Sequence, residues 1–137
     1  MKLRLIILLF FFGMITISLS AQSNKKFETC EEYLNEGFIS DGQYNIAMIK
    51  KGETKTSKVT FLSGNTFRII ACAENSDQLE FTIKDQNGTT LFSNKNFEYA
   101  PYWDFEITNT MECTISLFLN DNSLKSDKTI LIIGYKR

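Results

Sequence analysis

The sequence contains no histidine among its 137 residues, a single proline and only three cysteines. Without histidine there is no Ser–His or Cys–His nucleophile pair, no His-ligated zinc and no imidazole pH switch. The charges are nearly balanced, with 15 Lys and Arg against 16 Asp and Glu. The sequence therefore lacks the excess of basic side chains that binds nucleic-acid phosphates. We therefore predict one domain that is not an enzyme, needs no cofactor or metal and binds no nucleic acid.

The first 21 residues have the features of a secretory signal peptide. A basic start at Lys2 and Arg4 precedes a mostly apolar run over residues 5–19, with small residues up to Ala21. This run is shorter than the roughly 20 residues that span hydrocarbon, so cleavage near Ala21 is favoured over an uncleaved anchor. A cut after Ser20 stays open. We predict a secreted or periplasmic protein without a stable membrane span, carrying 13 basic and 16 acidic side chains after cleavage.

Three cysteines in an oxidising compartment allow one disulfide and leave one thiol. The candidates are Cys30, Cys72 and Cys113. We favour Cys30–Cys72, because residues 22–42 need a tie to the rest of the chain, but the other pairings stay open. The remaining thiol is interpreted as an inert core cysteine in preference to a redox-active or intermolecular one, since no CxxC motif is present.

Two regions follow the signal peptide. Residues 22–42 are predicted to form an N-terminal segment with a short helix of about two turns, because Thr29 and Glu32 fit a capping box ahead of Gly37. From residue 43 to 137 the hydrophobic period changes to two, which is typical of β-strands. About eight short strands separated by turn signals, with no βαβ alternation, predict an antiparallel two-sheet, jelly-roll-like β-sandwich.

The last strand differs from the others in composition. Residues 129–136 contain four consecutive large aliphatic side chains, from Ile130 to Ile133. A strand that is apolar on both faces needs cover on both faces. We therefore predict that it lies inside a sheet and not at an edge.

Two segments carry a resemblance to a known family. Residues 61–69 (FLSGNTFRI) resemble the strand–turn–aromatic signature of bacterial prepeptidase C-terminal-type domains, and residues 81–92 (FTIKDQNGTTLF) are similar to the hairpin of the same family. With the strands near residues 105–108 and 113–119, the resemblance spans about residues 55–119. It implies a jelly-roll sandwich that works alongside secreted enzymes or stands alone in a bacterial envelope.

The densest aromatic stretch is the candidate binding site. Its members surround Pro101 and are Phe97, Tyr99, Tyr102 and Trp103. Exposed aromatic faces can stack on sugars or anchor a protein partner. For Trp103 and Phe105 a place in the core is the favoured interpretation, because both have the inward parity of their strand, whereas for Phe97, Tyr99 and Tyr102 both interpretations stay open.

Three other features have ordinary explanations that we favour over functional ones. Residues 85–88 (DQNG) resemble half of a calcium loop but also satisfy a plain hairpin turn. Asp104 and Glu106 share one strand face, where a glycosidase pair is less expected than two solvated carboxylates. The lysines that could meet anionic glycans fit the protection of an edge strand against aggregation, and they are Lys50, Lys51, Lys55 and Lys58.

Taken together, the residues predict a non-catalytic secreted or periplasmic module that binds an extracellular or envelope protein, or a glycan, through its loop aromatics. The alternative is a structural or accessory module of a cell-envelope assembly that associates through edge strands.

Overall fold

A computed structural model describes residues 29–137, so the predicted signal peptide and its cleavage site lie outside the described residues. Eight strands account for most of this part of the chain. Their bounds are β1 Ile39–Lys50, β2 Thr54–Phe61, β3 Asn65–Ala73, β4 Leu79–Lys84, β5 Thr90–Ser93, β6 Tyr102–Ile107, β7 Met111–Leu119 and β8 Ser126–Lys136. A single 3₁₀ turn, Asn94–Phe97, lies between β5 and β6. No helix within residues 29–137 is long and apolar enough to cross a membrane.

The strands form two four-stranded antiparallel sheets. One has the order β1-β8-β3-β6 and the other β2-β7-β4-β5. The chain therefore pairs from its ends inward, β1 with β8, β2 with β7, β3 with β6 and β4 with β5, like a long hairpin rolled over itself. This is the jelly-roll arrangement. The predicted all-β, two-sheet fold is confirmed.

The main core lies between the two sheets and follows the alternation in the sequence. In β4 the apolar residues Leu79, Phe81 and Ile83 are buried while their neighbours are not. Strand β8 lies between β1 and β3, as its continuous apolar run predicted. Its Leu131 packs into the core between the sheets, while Ile130 and Ile132 point to the opposite face.

Residues 29–38 cover part of that opposite face of the β1-β8-β3-β6 sheet, which we call the outer face. Cys30 is fully buried there with Ile70, Ile130 and Ile132 in a second apolar cluster. The disulfide joins Cys30 to Cys72 in β3, so the favoured pairing is confirmed, and Cys113 is a buried free thiol.

The covering segment is less helical and the first strand longer than the sequence indicated. Residues 29–31 are helical and the chain then continues as turns, so Thr29 lies within the helix and does not precede it. In place of the expected second helical turn, residues 32–37 form turns and bends. They lead the chain back against the outer face, where Phe38 is buried. Strand β1 starts at Ile39, ahead of the expected Gln43.

Arg68 is buried on the same outer face, with 3% of its surface exposed. Its Nε and Nη2 donate to the two carboxylate oxygens of Asp104 at 2.7 and 2.8 Å. Nη1 donates to the Tyr33 carbonyl and the Asn35 side chain, and Nη2 also reaches Glu36. Hydrogen bonding to Asp104 raises the pKa of Arg68 further above its ordinary value. Asp104 is thus the partner of a structural cation, which leaves it poorly placed for a glycosidase pair with Glu106.

Candidate functional site

The loop between the 3₁₀ turn and β6 has an unusual backbone. Glu98 and Tyr99 are consecutive and both have φ of 55°, in the left-handed region. A side chain with a Cβ is disfavoured there, at a cost of about 1 kcal/mol or more for each residue. Such a conformation persists only where the surroundings impose it, and this is common at binding loops.

Asn94 is the residue that imposes this shape. It is fully buried, and its Oδ1 accepts a 2.8 Å hydrogen bond from the backbone N–H of Phe81. Its Nδ2 donates to the carbonyls of Leu79 and Ala100 at 3.0 and 3.1 Å. The Asn94 carbonyl in turn accepts the Tyr99 N–H at 3.0 Å. One side chain therefore fixes the loop to β4.

The far end of the loop is fixed to the other sheet. The carbonyl of Pro101 accepts the N–H of Ala71 in β3 at 2.8 Å. The loop consequently bridges the two sheets and holds Glu98 and Tyr99 in place between two anchors. A loop that is held in this way loses little conformational entropy when it binds a partner.

A pocket of about 350 Å³ lies beside this loop. One wall is the disulfide, Cys30 and Cys72, and another is the loop itself with Tyr99 and Pro101. The remaining lining comes from Thr29, Tyr33, Ala71, Ala73, Ser76, Asp77, Leu79, Glu98 and Ala100. The lining contains two acidic residues, Asp77 and Glu98, and no lysine or arginine.

Two of the predicted aromatic site residues form a cluster at the margin of the core. Phe97 is partly exposed, and its ring lies 4.4 Å from that of Trp103 and 5.5 Å from that of Phe92, measured between centroids. Trp103 and Phe105 pack against the main core, as their strand parity indicated. The aromatic rings thus close the side of the sandwich between β5 and β6.

Tyr102 lies on the outer face, opposite to Trp103. Its ring is 4.9 Å from that of Tyr33, and the guanidinium carbon of Arg68 is 4.6 Å from the Tyr102 ring centroid. The four predicted site residues are therefore divided over three places: Phe97 and Trp103 in the cluster, Tyr102 on the outer face and Tyr99 in the pocket.

Several of the other sequence candidates have structural partners. Asp85 Oδ1 accepts the N–H groups of Asn87 and Thr89, which makes residues 85–88 a hairpin turn, and Gly88 has φ of 81°. No group of three or more His, Cys, Asp or Glu side chains among residues 29–137 could hold a metal ion. On the lysine stretch, Lys55 pairs with Glu53 at 2.9 Å.

The sequence did not single out Asn94 or Glu98. Asn94 belongs to a run of polar residues, 93–96, that predicts an ordinary loop. The burial of a single amide side chain has no periodic signal in the sequence. A left-handed backbone at Glu98 has no local signal either, because glycine or asparagine would be expected there. Both depend on contacts with β4 that only the folded chain brings together.

In its architecture the chain belongs to the class of two-sheet jelly-roll sandwiches. Among solved structures it is similar to the crystal structure of Aeromonas hydrophila PliG, a periplasmic lysozyme inhibitor of g-type lysozyme, with a TM-score of 0.54. The two share 9% sequence identity, over 69% of this chain and 85% of that one, which is a likeness of fold. No family model and no curated protein match the sequence. The resemblance to prepeptidase C-terminal-type domains stays a prediction.

Proposed function

We propose that this chain is a secreted or periplasmic, non-catalytic module that binds a protein partner through residues 97–101. The observation that carries the proposal is the pair of left-handed residues, Glu98 and Tyr99, held between the buried Asn94 and the Pro101–Ala71 hydrogen bond. A loop that is already held in one shape loses little conformational entropy on binding, as in pre-organised protease–inhibitor complexes. The structurally similar PliG is itself a lysozyme inhibitor.

The charge of the site indicates the kind of protein. Asp77 and Glu98 lie on the pocket lining, and the chain after cleavage carries three more acidic than basic side chains, 16 against 13. An acidic surface raises the association rate with a basic partner and disfavours acidic ones. We therefore expect a basic protein, with a lysozyme as the first candidate.

A protein is favoured over a glycan because most of the aromatic faces are already in use. A sugar stacks on an open ring face. Trp103 packs on Phe92 and Phe97, and Tyr102 is engaged by Tyr33 and Arg68. Of the predicted aromatic platform, Tyr99 is the residue that lines the pocket.

The test measures binding and inhibition of a g-type lysozyme, and binding to basic proteins of the native culture fluid, with the mature protein. Tyr99→Ala and Glu98→Lys are each expected to weaken binding by about thirtyfold, the scale of an interface hot spot. Tyr135→Ala is the matched control, because Tyr135 pairs with Phe67 at the opposite end of β3. It is expected to bind within about twofold of the wild type.

Partner binding that survives both loop substitutions would contradict the proposal. So would an equal loss in the Tyr135 variant. A glycan array that gives a Tyr99-dependent signal, without any protein ligand, would replace the protein by a sugar and leave the same loop as the site.

A further inference from the structure

A hollow of about 460 Å³ lies on the outer surface of the β2-β7-β4-β5 sheet, on the side away from the core. Along β4 and β7 every second residue is buried in the core, so the residues between them point outward into this hollow. All four strands contribute side chains to it. The lining residues are Thr54, Glu80, Thr82, Lys84, Thr90, Ser93, Ser116 and Phe118.

The strand register places hydroxyl groups side by side in this hollow. Ser116 of β7 pairs with Thr82 of β4, and Thr82 pairs in turn with Ser93 of β5, which gives a row of three that we call the hydroxyl row. Side chains that face each other across strands lie about 5 Å apart, which is the scale of one sugar ring. Thr54 of β2 and Thr90 of β5 add hydroxyl groups on either side. Each of these groups can both donate and accept a hydrogen bond.

One end of the hollow has an aromatic ring beside a fixed carboxylate. Phe118 of β7 is partly exposed and pairs across the strands with Glu80 of β4. Oε1 of Glu80 accepts a hydrogen bond from the Ser93 hydroxyl at 3.2 Å, and Oε2 accepts one from the Asn120 amide at 2.6 Å. The two bonds hold the carboxylate in place, and each of its oxygens keeps a lone pair for a ligand.

The chemistry of the lining selects the class of ligand. It contains one acidic and one basic side chain, Glu80 and Lys84, so a charged ligand finds no excess of opposite charge. An apolar ligand would leave the hydroxyl groups desolvated without partners. An extended peptide finds no free backbone groups on β7 and β4, because both strands are paired on their two sides. A neutral molecule that carries many hydroxyl groups meets all three conditions.

We propose that this hollow is a binding site for one residue of a neutral glycan. The C–H face of the sugar packs on the Phe118 ring, and two neighbouring sugar hydroxyls donate to the Glu80 carboxylate. The hydroxyl row supplies donors and acceptors for the remaining sugar oxygens. The inference does not rest on the proposed function, since none of residues 97–101 lines the hollow.

The experiment titrates the isotope-labelled mature protein with neutral oligosaccharides of glucose, mannose, xylose and N-acetylglucosamine, and follows the amide resonances. At least one of these probes is expected to bind, and Phe118→Ala and Glu80→Gln should each weaken that binding about tenfold or more. Tyr135→Ala and Glu106→Gln are the matched controls, because they remove an exposed ring and an exposed carboxylate from the other sheet. Both controls should bind within about twofold of the wild type.

The amide resonances also report where the sugar binds, and the shifts are expected on β4 and β7. An oligogalacturonate, which is anionic, should bind more weakly than the neutral probes. A protein that binds none of the neutral probes overturns the proposal, as does binding that both Phe118→Ala and Glu80→Gln leave unchanged. Shifts confined to residues 97–101 would place the sugar in the loop and overturn it as well, without deciding whether that loop binds a protein.

Discussion

Replacing Asn94 by alanine should destabilise the fold far more than the same substitution at an exposed position of the same turn. The change removes hydrogen bonds to the Phe81 N–H and to the carbonyls of Leu79 and Ala100. Two of these backbone groups are buried and cannot turn to water, and each such orphaned group costs about 1–3 kcal/mol. The third bond, to Ala100, is partly buried and costs less.

The sum is a loss of about 3–5 kcal/mol from the free energy of unfolding, a large part of the roughly 5–15 kcal/mol that a domain has. Urea unfolding followed by the fluorescence of the single tryptophan, Trp103, measures it directly. The slope against urea should change little, since the unfolded chain exposes the same surface. Asn96→Ala, in the same 3₁₀ turn but exposed, is the control.

A loss below about 0.5 kcal/mol for Asn94→Ala, or equal losses for the two variants, would refute this reasoning. Either result would mean that the loop keeps its shape without the Asn94 side chain. The left-handed conformation of Glu98 and Tyr99 would then need another cause.

Three further predictions concern the disulfide, the free thiol and acid stability. Replacing both Cys30 and Cys72 by alanine should lower the free energy of unfolding by about 4 kcal/mol, since the crosslink spans 42 residues; thermal and urea unfolding measure this. Burial raises the pKa of the Cys113 thiol, so alkylation at neutral pH should be slow in the folded protein and fast in urea. Hydrogen bonds from Ser123 lower the pKa of Asp121, so the ionised carboxylate stabilises the fold at neutral pH and this stabilisation is lost as the pH falls through the lowered value. In the Asp121→Asn variant the free energy of unfolding should therefore fall less steeply with decreasing pH, which acid titrations of unfolding measure.

Each of these has an outcome that counts against it. An unchanged unfolding midpoint in the double alanine variant would mean that residues 29–38 stay in place without the crosslink. Rapid alkylation of the native protein would show that Cys113 is reachable. An Asp121→Asn protein that loses stability in acid as steeply as the wild type would assign the acid response to other carboxylates.

Most of the fold was accessible from the sequence because one physical rule governs it. Each strand buries one face, so alternation of the kind seen in Leu79, Phe81 and Ile83 locates the strand and its core side together. The doubly apolar β8 was placed inside a sheet by the same rule. The Cys30–Cys72 disulfide was favoured because the N-terminal segment needs a tie to the rest of the chain, but the sequence left the other pairings open.

The same rule explains what the sequence could not reveal. Arg68 occupies an outward position of β3, and an outward arginine reads as solvated. Arg68 is buried because residues 29–38 fold over that face. The alternation of apolar and polar residues along β3 does not predict that another segment covers its outer side. The aromatic stretch likewise reads as one site, yet Tyr102 and Trp103 point to opposite faces of β6 and only Tyr99 lines the pocket.

The rolled pairing of the chain has a consequence for the order in which the sheets form. Strand β1 is the first of the eight strands along the sequence, yet its neighbour in the sheet is β8, the last of them. Strands β4 and β5, by contrast, are joined by a short hairpin turn. Because closing a long loop costs more entropy than closing a short one, the β4–β5 pair is expected to form early and the β1–β8 pair late.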